Sequence, residues 1–92
     1  MKLRSLLFVP GDSEKKIAKS GEVGADVLIF DLEDSVAAAR KPEARDIVLA
    51  HLRAHPDARP SAFYVRINPL DTPEALPDLQ AVMPGRPDGI VI

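Results

Sequence analysis

Val27-Leu28-Ile29-Phe30-Asp31-Leu32-Glu33-Asp34 carries an apolar run straight into three carboxylates. The run shows no polar alternation, so it reads as a strand buried on both faces, the signature of a parallel sheet covered by helices. Gly24-Ala25-Asp26 turns the chain into it, and Asp31, Glu33 and Asp34 therefore stand at its C-terminal end. In parallel α/β folds, ligands bind at that end. Carboxylates this close repel one another unless a positive or protonated group lies between them, which makes Mg2+ with its ordered waters the first partner to expect. The residues also allow a plainer arrangement, in which Asp31 or Asp34 caps the next helix and Glu33 is solvated.

Working outward, strand and helix patterns alternate. Leu6 to Val9 is a first strand, stopped by Pro10-Gly11-Asp12. Ser13 is placed to cap a helix carrying Lys15, Lys16, Ile17 and Ala18 to about Ser20 or Val23, with Gly24 suited to a left-handed position after it. Pro42 fits the first turn of a second helix, where Ala44, Ile47, Val48 and Leu52 recur at helical spacing. His55-Pro56-Asp57-Ala58-Arg59-Pro60 breaks the pattern, and Ala62 to Asn68 makes a third strand ended by Pro69. Thr72 and Pro73 are expected to open a third helix that Pro77 restricts or splits, and Asp88-Gly89-Ile90-Val91-Ile92 begins a fourth strand. This alternation predicts an α/β fold with parallel strands and right-handed crossovers. Four strands and three helices are the N-terminal part, about half, of a TIM (β/α)8 barrel, which takes about 250 residues in full. The chain is thus expected to be a truncated piece of a larger domain.

Composition narrows the function classes. The chain has 92 residues, enough for one small domain, with 46% hydrophobic and 28% charged residues, as in ordinary globular proteins. Its net charge of −2 leaves no basic footprint for nucleic acid. The absence of cysteine excludes disulfides, thiolate catalysis and cysteine-based zinc sites, and fits a cytoplasmic protein. The apolar run after Arg4 stops at Pro10-Gly11 with no small-residue cleavage site, so it reads as a strand rather than a signal peptide. No segment approaches the roughly 18 apolar residues of a membrane span.

Four landmarks occur in order. Arg4-Ser5-Leu6-Leu7-Phe8-Val9-Pro10-Gly11, Asp31-Leu32-Glu33-Asp34-Ser35-Val36, Val65-Arg66-Ile67-Asn68 and Pro87-Asp88-Gly89-Ile90-Val91 together resemble the citrate lyase beta subunit family, kin of the malyl-CoA lyases within the HpcH/HpaI aldolase superfamily. The resemblance runs over essentially the whole chain. It implies a TIM-barrel lyase that cleaves or forms a carbon–carbon bond in a citryl-CoA or malyl-CoA type acyl thioester, with magnesium. It also implies a homo-oligomer, possibly assembled with other lyase subunits.

The resemblance further implies roles for particular residues. Arg66 would hold the substrate's carboxylate or carbonyl oxygen, and the residues agree, since an arginine at the end of a buried strand is costly without an anion to clamp. The plainer alternative pairs Arg66 with Glu33 or Asp34. Glu33 and Asp34 would accept hydrogen bonds from the metal's waters, with Asp31 in a structural hydrogen-bonding role. The direct metal ligands are expected on later strands, beyond residue 92, and the isolated chain is expected to be inactive. Phe8 and Lys19 would lie near the coenzyme A moiety, against the alternatives of core packing for Phe8 and a solvated helix face for Lys19.

Other features carry less. Pro10-Gly11-Asp12-Ser13 with Lys15, Lys16 and Lys19 could attract an anion, but neither a P-loop nor a dinucleotide fingerprint is present. His51 and His55 stand four apart without a third ligand in sequence and are best read as exposed residues favoured by the helix dipole. Arg40, Lys41 and Arg45 read as a solvated basic patch. The runner-up functional class is a non-catalytic signalling or binding module, an open doubly wound domain whose acidic pocket takes magnesium and a phosphate. Strand order separates the two: 1-2-3-4 for a barrel, a reversal such as 2-1-3-4 for the doubly wound sheet.

Overall fold

The computed structural model describes residues 5–56 and 59–92, so Arg4 of the first landmark and Asp57-Ala58 of the breaker cluster lie outside the described residues. Strands β1 (Leu6–Pro10), β2 (Val27–Asp31), β3 (Ala62–Arg66) and β4 (Gly89–Val91) alternate with helices α1 (Glu14–Ser20), α2 (Lys41–Ala54) and α3 (Ala75–Val82). The sheet runs β1-β2-β3-β4, and each neighbouring pair is parallel. Strand order therefore never reverses, as consecutive β/α units of a TIM barrel require and a doubly wound sheet does not.

Side-chain alternation splits the sheet. Leu7, Val9, Leu28, Phe30, Phe63 and Val65 point to the helices and pack with Ile17 of α1, Ala44, Val48 and Leu52 of α2, and Val82 of α3. Phe30, Val65, Val48 and Leu52 are completely buried, and each such side chain contributes about 1.5–3 kcal/mol of transfer free energy. The level register places Phe8 beside Ile29 and Tyr64 on the opposite face, and carries Pro10, Asp31, Arg66 and Val91 to one end of that face. Leu6 and Phe8, about half exposed, mark this face as the one the helices do not cover.

The local signals mostly act as their chemistry dictates. Ser13 caps α1, accepting from the Lys16 backbone N–H at 3.2 Å, and Pro42 sits in the first turn of α2. Gly24 takes φ +76°, although it stands four residues past the end of α1, whose cap is Gly21 in an ordinary right-handed conformation. The expected start of α3 is corrected. The helix begins at Ala75, and the Thr72 hydroxyl donates to the Pro69 carbonyl at 2.6 Å, so it closes a turn instead of capping a helix. Pro77 consequently falls within the first turn, where a missing N–H costs nothing, and the helix is not split. Likewise β3 ends at Arg66, two residues earlier than its apolar pattern suggests.

Gly11 follows from a close approach. Its N–H donates to the Asp31 carbonyl at 2.9 Å, and a Cβ there would lie 2.6 Å from that same oxygen. The Pro10-Gly11 turn is thereby seated against the end of β2, beside the carboxylates.

Candidate functional site at the strand ends

Asp31 and Arg66 are the last residues of adjacent parallel strands, in register with each other and therefore on the same face. The Arg66 Nε donates to Asp31 Oδ1 at 2.9 Å and Nη2 to Oδ2 at 2.6 Å, a two-point pairing that fixes the guanidinium plane. Asp31 also accepts from the Glu33 N–H (2.8 Å), the Ser35 N–H (3.1 Å) and the Ser35 hydroxyl (2.8 Å). Burial pushes its carboxyl pKa up, but the Arg66 pairing and the Glu33 and Ser35 donors outweigh burial and hold it at about 2. Asp31 thus stays ionised, with both oxygens committed. It does not cap a helix, for the turn Ala38–Arg40 precedes α2 and neither has a side-chain cap.

Glu33 and Asp34 have more freedom. Their carboxylates lie 3.6 and 3.7 Å from the Arg66 guanidinium, with side chains 29% and 75% exposed. Of the anions beside Arg66, the one that holds it is Asp31, while Glu33 and Asp34 stand at longer range. The Asp31 hydrogen bond drives the Arg66 pKa further up, against burial, with the charges of Asp31, Asp34 and Glu33 adding to the rise. On its other side the guanidinium carbon sits 4.6 Å from the centre of the Phe8 ring, a cation–π contact. Phe8 is about half exposed, on the sheet face turned away from the helices. Lys19 lies on the exposed side of α1 and lines, with Phe8, Lys15 and Lys16, a hollow of about 360 Å³ along the outer edge of β1.

Comparison with known proteins gives the chain a family. The model of the HpcH/HpaI aldolase/citrate lyase family matches residues 4–92. The chain belongs to that family. Citrate lyase subunit beta of Escherichia coli K12 is 45% identical over 85 residues, which are 92% of this chain and 28% of that protein. The (3S)-malyl-CoA thioesterase of Cereibacter sphaeroides KD131 is 37% identical over 97% of this chain and 31% of its own length. Among solved structures, Mycobacterium tuberculosis CitE in complex with magnesium and acetate superposes with a TM-score of 0.76 at 35% identity, over 92% of this chain and 33% of that one. CitE in complex with magnesium, acetoacetate and coenzyme A gives 0.64 at 38% identity, over 91% and 28%. The chain therefore spans about a third or less of the length of these relatives.

In this member of the HpcH/HpaI family, the donors present fit magnesium only in a supporting capacity. Glu33 and Asp34 are hard oxygen anions open to solvent, suited to bonding an ion's waters, whereas the Asp31 oxygens are taken. Among the described residues no group of three or more His, Cys, Asp or Glu is arranged to hold a metal ion. His51 and His55 pack ring to ring at 4.6 Å, and His51 is not the exposed helix-end histidine expected from its spacing. It is partly buried with its ring against Phe30 (5.2 Å) and Phe63 (5.3 Å); burial, then His55 and Arg59, push its pKa down. No helix among the described residues is long and apolar enough to cross a membrane.

The basic patch is also corrected. Only Arg40 remains half exposed, paired with Asp12 (3.2 Å) and Glu43 (3.3 Å). Arg45 is 13% exposed and reaches Glu74 and the fully buried Asp78, the latter at 2.7 Å. Burial opposes its charge, yet Asp78 and Glu74 raise its pKa. Asn68 does not open onto the site as its neighbour Arg66 does. It turns to the helices, donating from Nδ2 to Asp78 (2.6 Å) and the Leu32 carbonyl (3.0 Å), while its N–H donates to Asp78 (2.8 Å). Lys41 donates to the carbonyls of Leu32 and Glu33 and to Asn68 Oδ1. One signal for this network was available in the sequence. Asp78 shares the core-facing spacing of Ala75 and Val82, and an acid on such a stripe needs a buried partner.

Proposed function

We propose that this chain is the N-terminal part of a magnesium-dependent carbon–carbon lyase whose substrate is a hydroxy-dicarboxylic or hydroxy-tricarboxylic acyl thioester of the citryl-CoA or malyl-CoA type. One observation carries the reading: a guanidinium locked at the mouth of the strand ends by Asp31, with Glu33 and Asp34 beside it. A locked fork presents its remaining N–H groups in a fixed direction, which suits an oxygen that gains negative charge during reaction. Cleavage of the carbon–carbon bond next to a thioester leaves its electron pair on the thioester fragment, delocalised onto the carbonyl oxygen, while the hydroxyl on the departing carbon gives up its O–H proton and becomes a carbonyl. Arg66 would meet the first of those oxygens or the neighbouring carboxylate. Magnesium, when bound, would supply Lewis acidity for the charge that develops. Glu33 and Asp34 would orient the ion through its waters, and Phe8 would support the guanidinium from beneath while Lys19 faces the anionic coenzyme A portion. The CoA named for the C. sphaeroides relative, and the magnesium and coenzyme A bound in CitE, support this substrate class.

The test uses the full-length protein that contains these residues. Thioester cleavage should require magnesium and stop on chelation, and Arg66→Ala should slow the chemical step by about 100-fold or more. Arg66→Lys should recover little, because it keeps the charge and loses the fork. Unchanged rates in Arg66→Ala would sink the clamp.

A further inference from the structure

Lys41 breaks two local rules at once. It is a cation at the first residue of a 14-residue helix, where the dipole favours anions. It also holds φ −59°, ψ −43°, a helical conformation that the following Pro42 disfavours by steric clash. Residues that contradict their local setting are expected where another requirement overrides it. That requirement is visible in its contacts. The Nζ of Lys41 donates to Leu32 O at 3.0 Å, Glu33 O at 3.2 Å and Asn68 Oδ1 at 3.0 Å, so the ammonium's three protons each have an acceptor.

Two of those acceptors are the peptide carbonyls immediately before Glu33 and Asp34. Fixing them sets the peptide planes from which both acidic side chains leave. The third acceptor, Asn68, bonds Leu32 O from Nδ2 and is itself held by Asp78, which Arg45 fixes to α2. The acidic turn is thus pinned from the helix side by Lys41, as Arg66 and Asp31 pin it from the open side. We propose that Lys41 is a positioning residue for the metal-facing acids: it acts through the Leu32 and Glu33 carbonyls to set Glu33 and Asp34, and thereby the affinity for magnesium. The inference rests on the function proposed above.

The experiment is magnesium titration calorimetry on the full-length protein, wild type against Lys41→Met and Lys41→Arg, with hydrogen exchange followed on residues 31–36. Loss of an outer partner of a metal site costs about 10–100-fold in affinity, so Lys41→Met should raise the magnesium Kd by about tenfold and speed exchange in 31–36 more than in the sheet. Excess magnesium should restore kcat, since no reacting atom is touched. Lys41→Arg keeps the charge but cannot bring three protons from one nitrogen to three acceptors, so it should also weaken binding, and it carries the test if the Met variant fails to fold. Wild-type affinity in a folded Lys41 variant overturns the inference and leaves the lyase reading standing. A wild-type protein that binds no magnesium overturns both.

Discussion

Replacing Asp31 by Asn tests the central pairing with the least change of shape. The amide keeps one oxygen for the Glu33 N–H and Arg66 Nε, and puts an NH2 where Oδ2 now accepts from Arg66 Nη2, the Ser35 N–H and the Ser35 hydroxyl. Lowering of the carboxyl from 3.8 to about 2 corresponds to about 2 kcal/mol in favour of the ionised form, and this group is buried, so solvent does not dilute the figure. Leaving donors unmatched adds to this, for a total destabilisation of about 2–4 kcal/mol at neutral pH. Because the folded pKa lies below the unfolded one, the contribution is complete above the unfolded value and is lost as pH falls toward the folded one. The carboxylate's share should therefore be about 2 kcal/mol at pH 5 and about 1 kcal/mol at pH 3. Urea denaturation of the full-length wild type and Asp31→Asn across that range reads the difference directly. A gap below about 0.5 kcal/mol at pH 7, or one that stays constant down to pH 3, would refute the reasoning.

Two further expectations concern the supports of the site. Arg45→Met should cost about 3–5 kcal/mol in chemical denaturation, since it leaves the buried Asp78 charge with only Asn68 for company; a loss under about 1 kcal/mol would show that Asp78 finds another partner. Gly11→Ala must move either the Pro10-Gly11 turn or the Asp31 carbonyl, at about 1–3 kcal/mol, and a thermal melt indistinguishable from wild type would mean the turn yields freely.

Much of the fold was legible because its signals are local. The Val27–Phe30 run, the Ser13 cap, Pro42 and the Ala44, Val48, Leu52 stripe all reflect chemistry within a turn or a strand, and the structure places them accordingly. The start of α3 is not legible in sequence, because the Thr72 hydroxyl donates to the Pro69 carbonyl instead of accepting from a helical N–H. The site was legible in its members and not in its wiring. Asp31 meets Arg66 only through the register of two strands 35 residues apart, and Arg45 meets Asp78 only once two helices pack. Charges on the first turns of a helix look solvated in sequence whether or not a distant acid is waiting for them. In sequence, Lys41 and Arg45 are indistinguishable from such a solvated patch.

The unequal burial of the neighbouring acids divides the turn by what each position tolerates. Asp31, 1% exposed and saturated with donors, admits no substitute that is longer, neutral or apolar without disturbing Arg66. Asp34, with a side chain 75% exposed, is free of that constraint as far as folding is concerned. In a library of substitutions scored for folding alone, position 34 should tolerate change most readily, position 33 less and position 31 least. Any requirement for an acid at position 34 then comes from what that side chain faces, whereas at position 31 the fold itself demands one.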